Sequence, residues 1–240
     1  MEKISNKLIS TDYSLSSHFY EKAFWAKQAY VCGVDEVGRG CLAGPVVTAA
    51  VILYPSCTHP LLKDSKILTE NKRNEAATWI LKNSWYSYGS IDATDIDRLN
   101  IYKATQEAMK QAVYGLLSQK IGPWKPELIL IDAMPLAFPH LSQAVEVLSF
   151  PFGESRSISI AAASILAKVK RDELITRMSR FFPGYHFEDH KSYGTNAHYK
   201  ALQNKGKSLI HRVTFLKEKS KKAPHENTTD NQTSLFCGSN

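Results

Sequence analysis

The apolar positions along the chain fall into two alternating patterns. Short β-branched or aromatic runs predict strands at Tyr30 to Asp35, Val46 to Leu53, Ser84 to Ile91, Leu128 to Ile131 and Val145 to Phe150. Leu128-Ile129-Leu130-Ile131 is apolar without interruption, as a central strand covered on both faces requires. Between these runs apolar residues return at helical spacing. Glu70 to Lys82 predicts a helix with Thr69 as its N-cap. Asp97 to Ser118 predicts a long helix with Ile101, Ala104, Ala108, Ala112 and Leu116 on one stripe. Ser159 to Phe181 predicts another, and Asn196 to Asn204 a shorter one. Strands interleaved with helices predict an α/β fold, a mixed five-stranded sheet flanked by helices with a C-terminal helical extension. In such sheets ligand sites gather at strand ends.

The ends of the chain depart from this pattern. Residues 1–28 are polar with scattered aromatics (Tyr13, Phe19, Tyr20, Phe24, Trp25) and predict an N-terminal extension with an amphipathic helix that packs on the body, residues 29–216. Residues 217–240 begin with Lys217, Lys219, Lys221 and Lys222 and continue in Asn, Thr, Gln and Ser, a composition that predicts a disordered tail. The 240 residues carry a net charge of +7, with +1 in each of these ends and +5 in the body. A basic body suits a polyanionic partner. No apolar run reaches the ~18 residues of a membrane span, so no membrane association is expected. The four cysteines (Cys32, Cys41, Cys57, Cys237) form no C-x-x-C pair, and the N-terminus has no apolar signal core. Reduced thiols in the cytoplasm are the expectation, and nothing in the sequence demands more than a monomer.

Several acids fall where a carboxylate is costly. Asp35 and Glu36 end the first strand, just before Gly38-Arg39-Gly40. Two readings fit them: a solvated turn or helix cap, or a divalent-cation site, since hard cations take oxygen ligands. Neighbouring strand residues face opposite ways, so both acids can serve one site only if the strand bends at Glu36. Asp132 directly follows four large aliphatics, as a turn former or a ligand. On an ideal helix Asp172 points within roughly 60° of Ala161, Ile165, Val169 and Ile175. Either it pairs with Lys168 or Arg171, or it faces the sheet and meets the other acids. Four carboxylates so gathered would hold two cations about 4 Å apart, one activating water and the other stabilising a leaving oxygen. A phosphodiester substrate suits such a site and the basic body.

These residues also carry a resemblance. Gly33-Val34-Asp35-Glu36-Val37-Gly38-Arg39-Gly40 with Leu42-Ala43-Gly44-Pro45-Val46-Val47 resembles the opening signature of bacterial ribonuclease HII. Asp64-Ser65-Lys66 with Leu68, and Ser159 to Ser164 followed by Ala167-Lys168-Val169 and Arg171-Asp172, are similar to its second and helix motifs. His190-Lys191-Ser192-Tyr193-Gly194-Thr195 with His198, and His211-Arg212 with Phe215, resemble its closing motifs. The order and spacing agree over about residues 30 to 216. The resemblance implies a ribonuclease H-like fold and hydrolysis of the RNA strand of RNA–DNA hybrids with Mg²⁺ or Mn²⁺, two ions with substrate bound. It also implies cutting 5′ to a single ribonucleotide embedded in duplex DNA, leaving 3′-hydroxyl and 5′-phosphate ends, in ribonucleotide and primer removal. By position it gives Asp35, Glu36, Asp132 and Asp172 the catalytic and metal-binding roles. Gly38, Arg39 and Gly40 take the loop that reads the ribose 2′-hydroxyl, and Tyr193 the aromatic on the next sugar. A glycine loop suits that task, because its backbone can approach a sugar closely. Lys66 is either a phosphate contact or part of a surface turn with Asp64, and His198 and His211 are expected as structural hydrogen-bonding groups.

The sequence departs from the family pattern at Ser192 and Ala133, where glycine is usual, and at Gly153-Glu154, where Gly-Asp is frequent. Three other classes compete. A ribonuclease HIII would carry a sizeable N-terminal domain, where here only residues 1–29 precede the first strand. An actin-like phosphotransferase needs a second ATP-binding half. A hybrid or double-stranded RNA binder without turnover has no need of converging acids.

Overall fold

The structure, a computed structural model, describes residues 18–63, 65–119 and 126–220, with side chains through residue 216. Asp64, Cys237 and most of the predicted tail lie outside the described residues, as does the start of the N-terminal extension.

Three strands form an antiparallel meander: β1 (Tyr30–Val37), β2 (Val46–Leu53) and β3 (Ser84–Ile91). Two more run parallel to β1, namely β4 (Pro126–Asp132) and β5 (Glu146–Phe150). They make one five-stranded sheet in the order β3-β2-β1-β4-β5. The helices are α1 (Phe19–Trp25), α2 (Glu70–Lys82), α3 (Ala93–Leu99), α4 (Ile101–Leu117), α5 (Ile158–Ser179), α6 (Phe187–His190), α7 (Asn196–Lys205) and α8 (Val213–Ser220). None of the described helices is long and apolar enough to cross a membrane.

Strand alternation divides the core. Ala49, Val51 and Leu53 of β2 pack with α2 and α5 on one face. Cys32, Val34, Ala50, Ile52, Ile129 and Ile131 pack with Met109, Ala112, Val113 and Leu116 of α4 on the other. Odd-numbered residues of β1 and even-numbered residues of β4 therefore face α5. The approach is closest at Gly33, where an added Cβ would stand 2.1 Å from the backbone carbon of Ser159. Only glycine lets α5 lie this near the central strand.

The long helix predicted from Asp97 to Ser118 is two helices. Asn100 breaks it with φ +70° and then caps α4, its side chain accepting the Lys103 N–H at 3.1 Å. Asparagine tolerates positive φ and its amide oxygen satisfies a helix N-terminus, two properties that an apolar-periodicity reading ignores. In α1, Tyr20 and Phe24 pack on Val31, Leu128, Leu130 and Ile160. The fully buried Glu21 accepts hydrogen bonds from Ser157 Oγ (2.5 Å) and Ser159 N–H (3.0 Å) at the start of α5. Cys32, Cys41 and Cys57 are free thiols.

Candidate active site

Asp132 closes β4, and Asp35 stands two residues before the end of the adjacent parallel strand β1. Val34 pairs with Ile131, so each acid takes the next position, on the α5 face. Asp35 is 4% exposed, and its carboxyl is raised well above the usual range by burial first, then by the charges of Glu36 and Asp132. The hydroxyl of Ser164 on α5 hydrogen-bonds to Asp35 and opposes that shift. Ser164 in turn meets Ser65 Oγ at 2.9 Å, which ties the loop before α2 to the site.

Glu36 joins Asp35 without the expected backbone bend. Pairing of β1 with β2 continues through Glu36–Thr48 and Val37–Val47. Glu36 nevertheless lines the same cavity, so the reach comes from its longer side chain at the sheet's end. Its backbone N–H donates to Asp35 Oδ1 at 2.7 Å, and its Oε1 accepts from Arg39 Nη1 at 3.3 Å. Burial raises its pKa against the opposing pull of Arg39.

The structure adds a carboxylate beyond those expected from the sequence. The Gly153 N–H donates to Asp132 Oδ1 at 2.8 Å, which draws the 3₁₀ turn Gly153–Ser155 against the end of β4. Glu154 on that turn is buried, its charge is among those that raise Asp35, and its Oε1 lies 3.6 Å from Lys66 Nζ. The signal in the sequence was the acid itself: Gly153-Glu154 stands where the resemblance puts Gly-Asp, a change of length and not of charge.

Asp172 sits elsewhere. It keeps the stripe of Ala161, Ile165 and Val169, but this stripe packs with α2 in the core layer between helices and sheet. Its Oδ1 accepts from Lys168 Nζ at 2.9 Å, and its Oδ2 lies 3.8 Å from Arg73 Nη1 of α2. It lines a separate depression with Arg73 and Lys191, not the cavity of the other acids. The neighbour that turns into the protein is Arg171, fully buried. Of the two alternatives for Asp172, the structure shows the ion pair, with Lys168 and with Arg73 of the neighbouring helix α2.

Asp35, Glu36 and Asp132 line a cavity of about 210 Å³ together with Gly38, Arg39, Lys66, Lys168 and Tyr193. Gly40 is exposed just beyond it, with no atom near its missing side chain. At Gly38, φ is +92° and an added Cβ would stand 2.1 Å from Arg171 Nε, so the loop demands glycine twice over. Tyr193 is 39% exposed, with Lys168 Nζ 5.5 Å and Arg171 Cζ 5.9 Å from its ring centre. Its backbone is held at both ends, by Tyr193 N–H donating to His190 O and by His198 Nδ1 against Tyr193 O, each at 2.9 Å.

Two buried guanidiniums fasten this loop region. Arg171 donates to Pro45 O, Lys191 O, Ala43 O and Ser192 Oγ. Arg212 donates to Gly44 O and to Arg39 O. Neither role was legible beforehand, since both arginines read as charges and act as carbonyl cross-links.

The donor set suits hard cations. Every acidic group is an oxygen ligand, and Glu36 Oε2 and Glu154 Oε1 are buried without a hydrogen-bond partner. Buried carboxylate oxygens without hydrogen bonds are costly, a cost that bound cations would offset; Glu154 Oε1 has only the 3.6 Å ion pair with Lys66. Among the described residues the His186, Glu188 and Asp189 trio has ligand atoms within 4.8 Å of one another, but all three are exposed. The carboxylates of the cavity stand more widely, as mutual repulsion favours.

Comparisons with known proteins agree. A family model described as Ribonuclease HII matches residues 32–218. Ribonuclease HII of Levilactobacillus brevis is 43% identical over 199 residues, 82% of this chain and 72% of that protein. In the solved complex of PCNA and RNase HII from Archaeoglobus fulgidus, the matched chain gives a TM-score of 0.61 at 24% identity, over 77% of this chain and 94% of that one. Bst-RNase HIII in complex with Mn²⁺ gives 0.59 at 22% identity, over 82% and 71%. At these identities the two structures speak for the fold alone.

Proposed function

This chain belongs to the ribonuclease HII family, a family of ribonuclease H nucleases, and on that premise we propose that it cuts the RNA strand of RNA–DNA hybrids and cleaves 5′ to single ribonucleotides embedded in duplex DNA. The products carry 3′-hydroxyl and 5′-phosphate ends. The observation that carries the reading is the convergence of Asp35, Glu36 and Asp132 in a cavity rimmed by Gly38, Arg39 and Tyr193, with the charge of Glu154 close enough to raise Asp35.

Asp35, Glu36, Asp132 and Glu154 would hold the cations. Two bound Mg²⁺ or Mn²⁺ ions would supply an activated water and charge stabilisation at the leaving 3′ oxygen. The protein's part is placement. The Gly153 amide keeps one oxygen of Asp132 occupied, which fixes the orientation of the other. Arg39 is tethered to Glu36, and its carbonyl to Arg212, so the loop presents a fixed backbone to a ribose. The 2′-hydroxyl is the group such a loop can tell from deoxyribose. The exposed face of Tyr193 stacks on the following sugar, and Lys66 meets phosphate from the Glu154 side. The basic body supplies the sequence-independent attraction to a duplex. Action as a monomer on chromosomal DNA in the cytoplasm completes the reading.

The test is a labelled duplex with one embedded ribonucleotide beside an all-DNA duplex and a long hybrid. Cleavage at the 5′ side of the ribonucleotide, with the all-DNA duplex intact, is expected in Mg²⁺ or Mn²⁺ and not in chelator. Binding without turnover in either metal would favour a hybrid binder instead.

A further inference from the structure

We propose that Lys168 binds a backbone phosphate of the substrate beside the acidic cavity, and that Asp172, backed by Arg73, is the brace that positions it. The inference rests on the nuclease reading above and gives Asp172 a role outside the cation site.

Three elements meet in the brace. Lys168 and Asp172 lie one turn apart on α5, with Nζ to Oδ1 at 2.9 Å. Arg73 of α2 approaches the other oxygen at 3.8 Å. Arg73 is itself fixed, donating from Nε to Ser65 O at 3.1 Å and from Nη2 to Leu68 O at 2.8 Å. The segment so gripped is the one that carries Lys66 to the cavity. The brace therefore sets both lysines of the cavity in relation to one another.

Charge and geometry then point to an anion. Arg73, Asp172 and Lys168 together carry one net positive charge, and only the Lys168 end lines the acidic cavity. An ammonium has three N–H donors, and among the described residues one hydrogen bond, to Asp172, is made. Lys168 is 21% exposed, and its Nζ stands 5.5 Å from the ring centre of Tyr193. A lysine already held in place loses little side-chain entropy when a phosphate arrives. A duplex whose sugar stacks on Tyr193 carries phosphates on either side of that sugar, within reach of an ammonium at the ring.

The experiment is fluorescence anisotropy of the full chain with the single-ribonucleotide duplex in chelator across a salt series, paired with Mg²⁺ titrations of cleavage. Lys168→Met is expected to weaken binding about tenfold and to make the slope of log affinity against log salt shallower by about 1, while Lys168→Arg keeps the slope. Asp172→Asn is expected to raise KM severalfold with an unchanged half-saturating Mg²⁺ concentration, and Asp172→Glu to restore it. Thermal melts show whether each variant is folded. An unchanged salt slope in folded Lys168→Met overturns the inference. So does a near-total loss of kcat in Asp172→Asn with a raised Mg²⁺ requirement, which would make Asp172 a cation ligand. Absence of metal-dependent cleavage by the wild type would instead sink the nuclease reading and this inference together.

Discussion

Gly153 donates its backbone N–H to Asp132 Oδ1 at 2.8 Å, and this bond is what holds Glu154 within electrostatic reach of Asp35. The fourth ligand in the proposed cation site is thus Glu154, on a turn after β5, where it stands 3.6 Å from Lys66 Nζ. Glu154→Gln keeps the shape and removes the charge. It is expected to lower kcat by about 10²-fold or more and to raise the half-saturating Mg²⁺ concentration, since a cation ligand contributes several kcal/mol at the reacting centre. Steady-state cleavage across a Mg²⁺ series checks this, with Asp172→Asn alongside as the milder change.

Asp35 makes the metal-free protein sensitive to pH in a definite direction. Burial, then Glu36 and Asp132, raise its folded carboxyl well above the usual value, so over that window the folded state binds more protons than the unfolded. Stability of the metal-free protein therefore falls as pH rises through the raised range. Asp35→Asn removes the penalty. It is expected to melt higher than the wild type in chelator at pH 7–8, where a gain of ~1 kcal/mol appears as ~2–4 °C. Mg²⁺ is expected to stabilise the wild type and not this variant, and cleavage by the variant is expected to be nearly abolished. Scanning calorimetry with and without Mg²⁺ reads both effects.

The histidines predict loss of stability on acidification. His198 Nε2 and His211 Nε2 are 3.0 Å apart, and both rings are buried. His211 Nδ1 accepts from the Ser208 N–H, and His198 Nδ1 faces the Tyr193 carbonyl. A neutral pair satisfies all of these contacts when His211 donates to His198; a second proton would set N–H against N–H. Burial first, then the charge of His190, lowers His198; burial first, then the charge of His198, pushes His211 down to about 4. The unfolded state then binds more protons between the ordinary histidine value of ~6.5 and about 4. Unfolding free energy is expected to fall across that window by about 1.4 kcal/mol per pH unit for His211, with His198 adding to the loss in the same direction. His211→Gln should flatten the slope in urea unfolding by about one proton.

Ser192 explains how the chain tolerates a departure from glycine. Its φ is +66° and it is fully buried, yet its hydroxyl accepts from Arg171 Nη2 at 2.8 Å and donates to Ala43 O at 2.7 Å. The hydroxyl offsets the backbone strain by satisfying a buried guanidinium. Ser192→Ala keeps the strain and loses the bonds, so a cost of about 1–3 kcal/mol is expected in denaturant unfolding. Ser192→Gly also loses them but relieves the strain, by roughly 1 kcal/mol, and should fall between the two.

What could be read from the sequence followed from local rules. β2 and β3 occupy the ranges their apolar runs predict, and Asp35 and Asp132 follow the apolar runs of two adjacent strands into the cavity. What could not be read depended on tertiary partners. The break at Asn100 is a backbone conformation hidden inside a good helical stripe. Arg171 and Arg212 carry charge and yet are buried, because carbonyls from distant segments satisfy them. Asp172 follows an apolar stripe of α5, but its ion pair with Arg73 depends on how α2 packs beside that helix. Glu154 belongs to no periodic element at all, and only the turn bonded to Asp132 brings it in.

The account turns on which carboxylates grip the cations. Crystals of the full chain soaked in Mn²⁺ and measured at the manganese absorption edge give the answer directly. Anomalous density among Asp35, Glu36, Asp132 and Glu154, with Asp172 still paired to Lys168, is the predicted result. Manganese bound by Asp172, or absent from that cavity while present at the exposed His186, Glu188 and Asp189 trio, would contradict it.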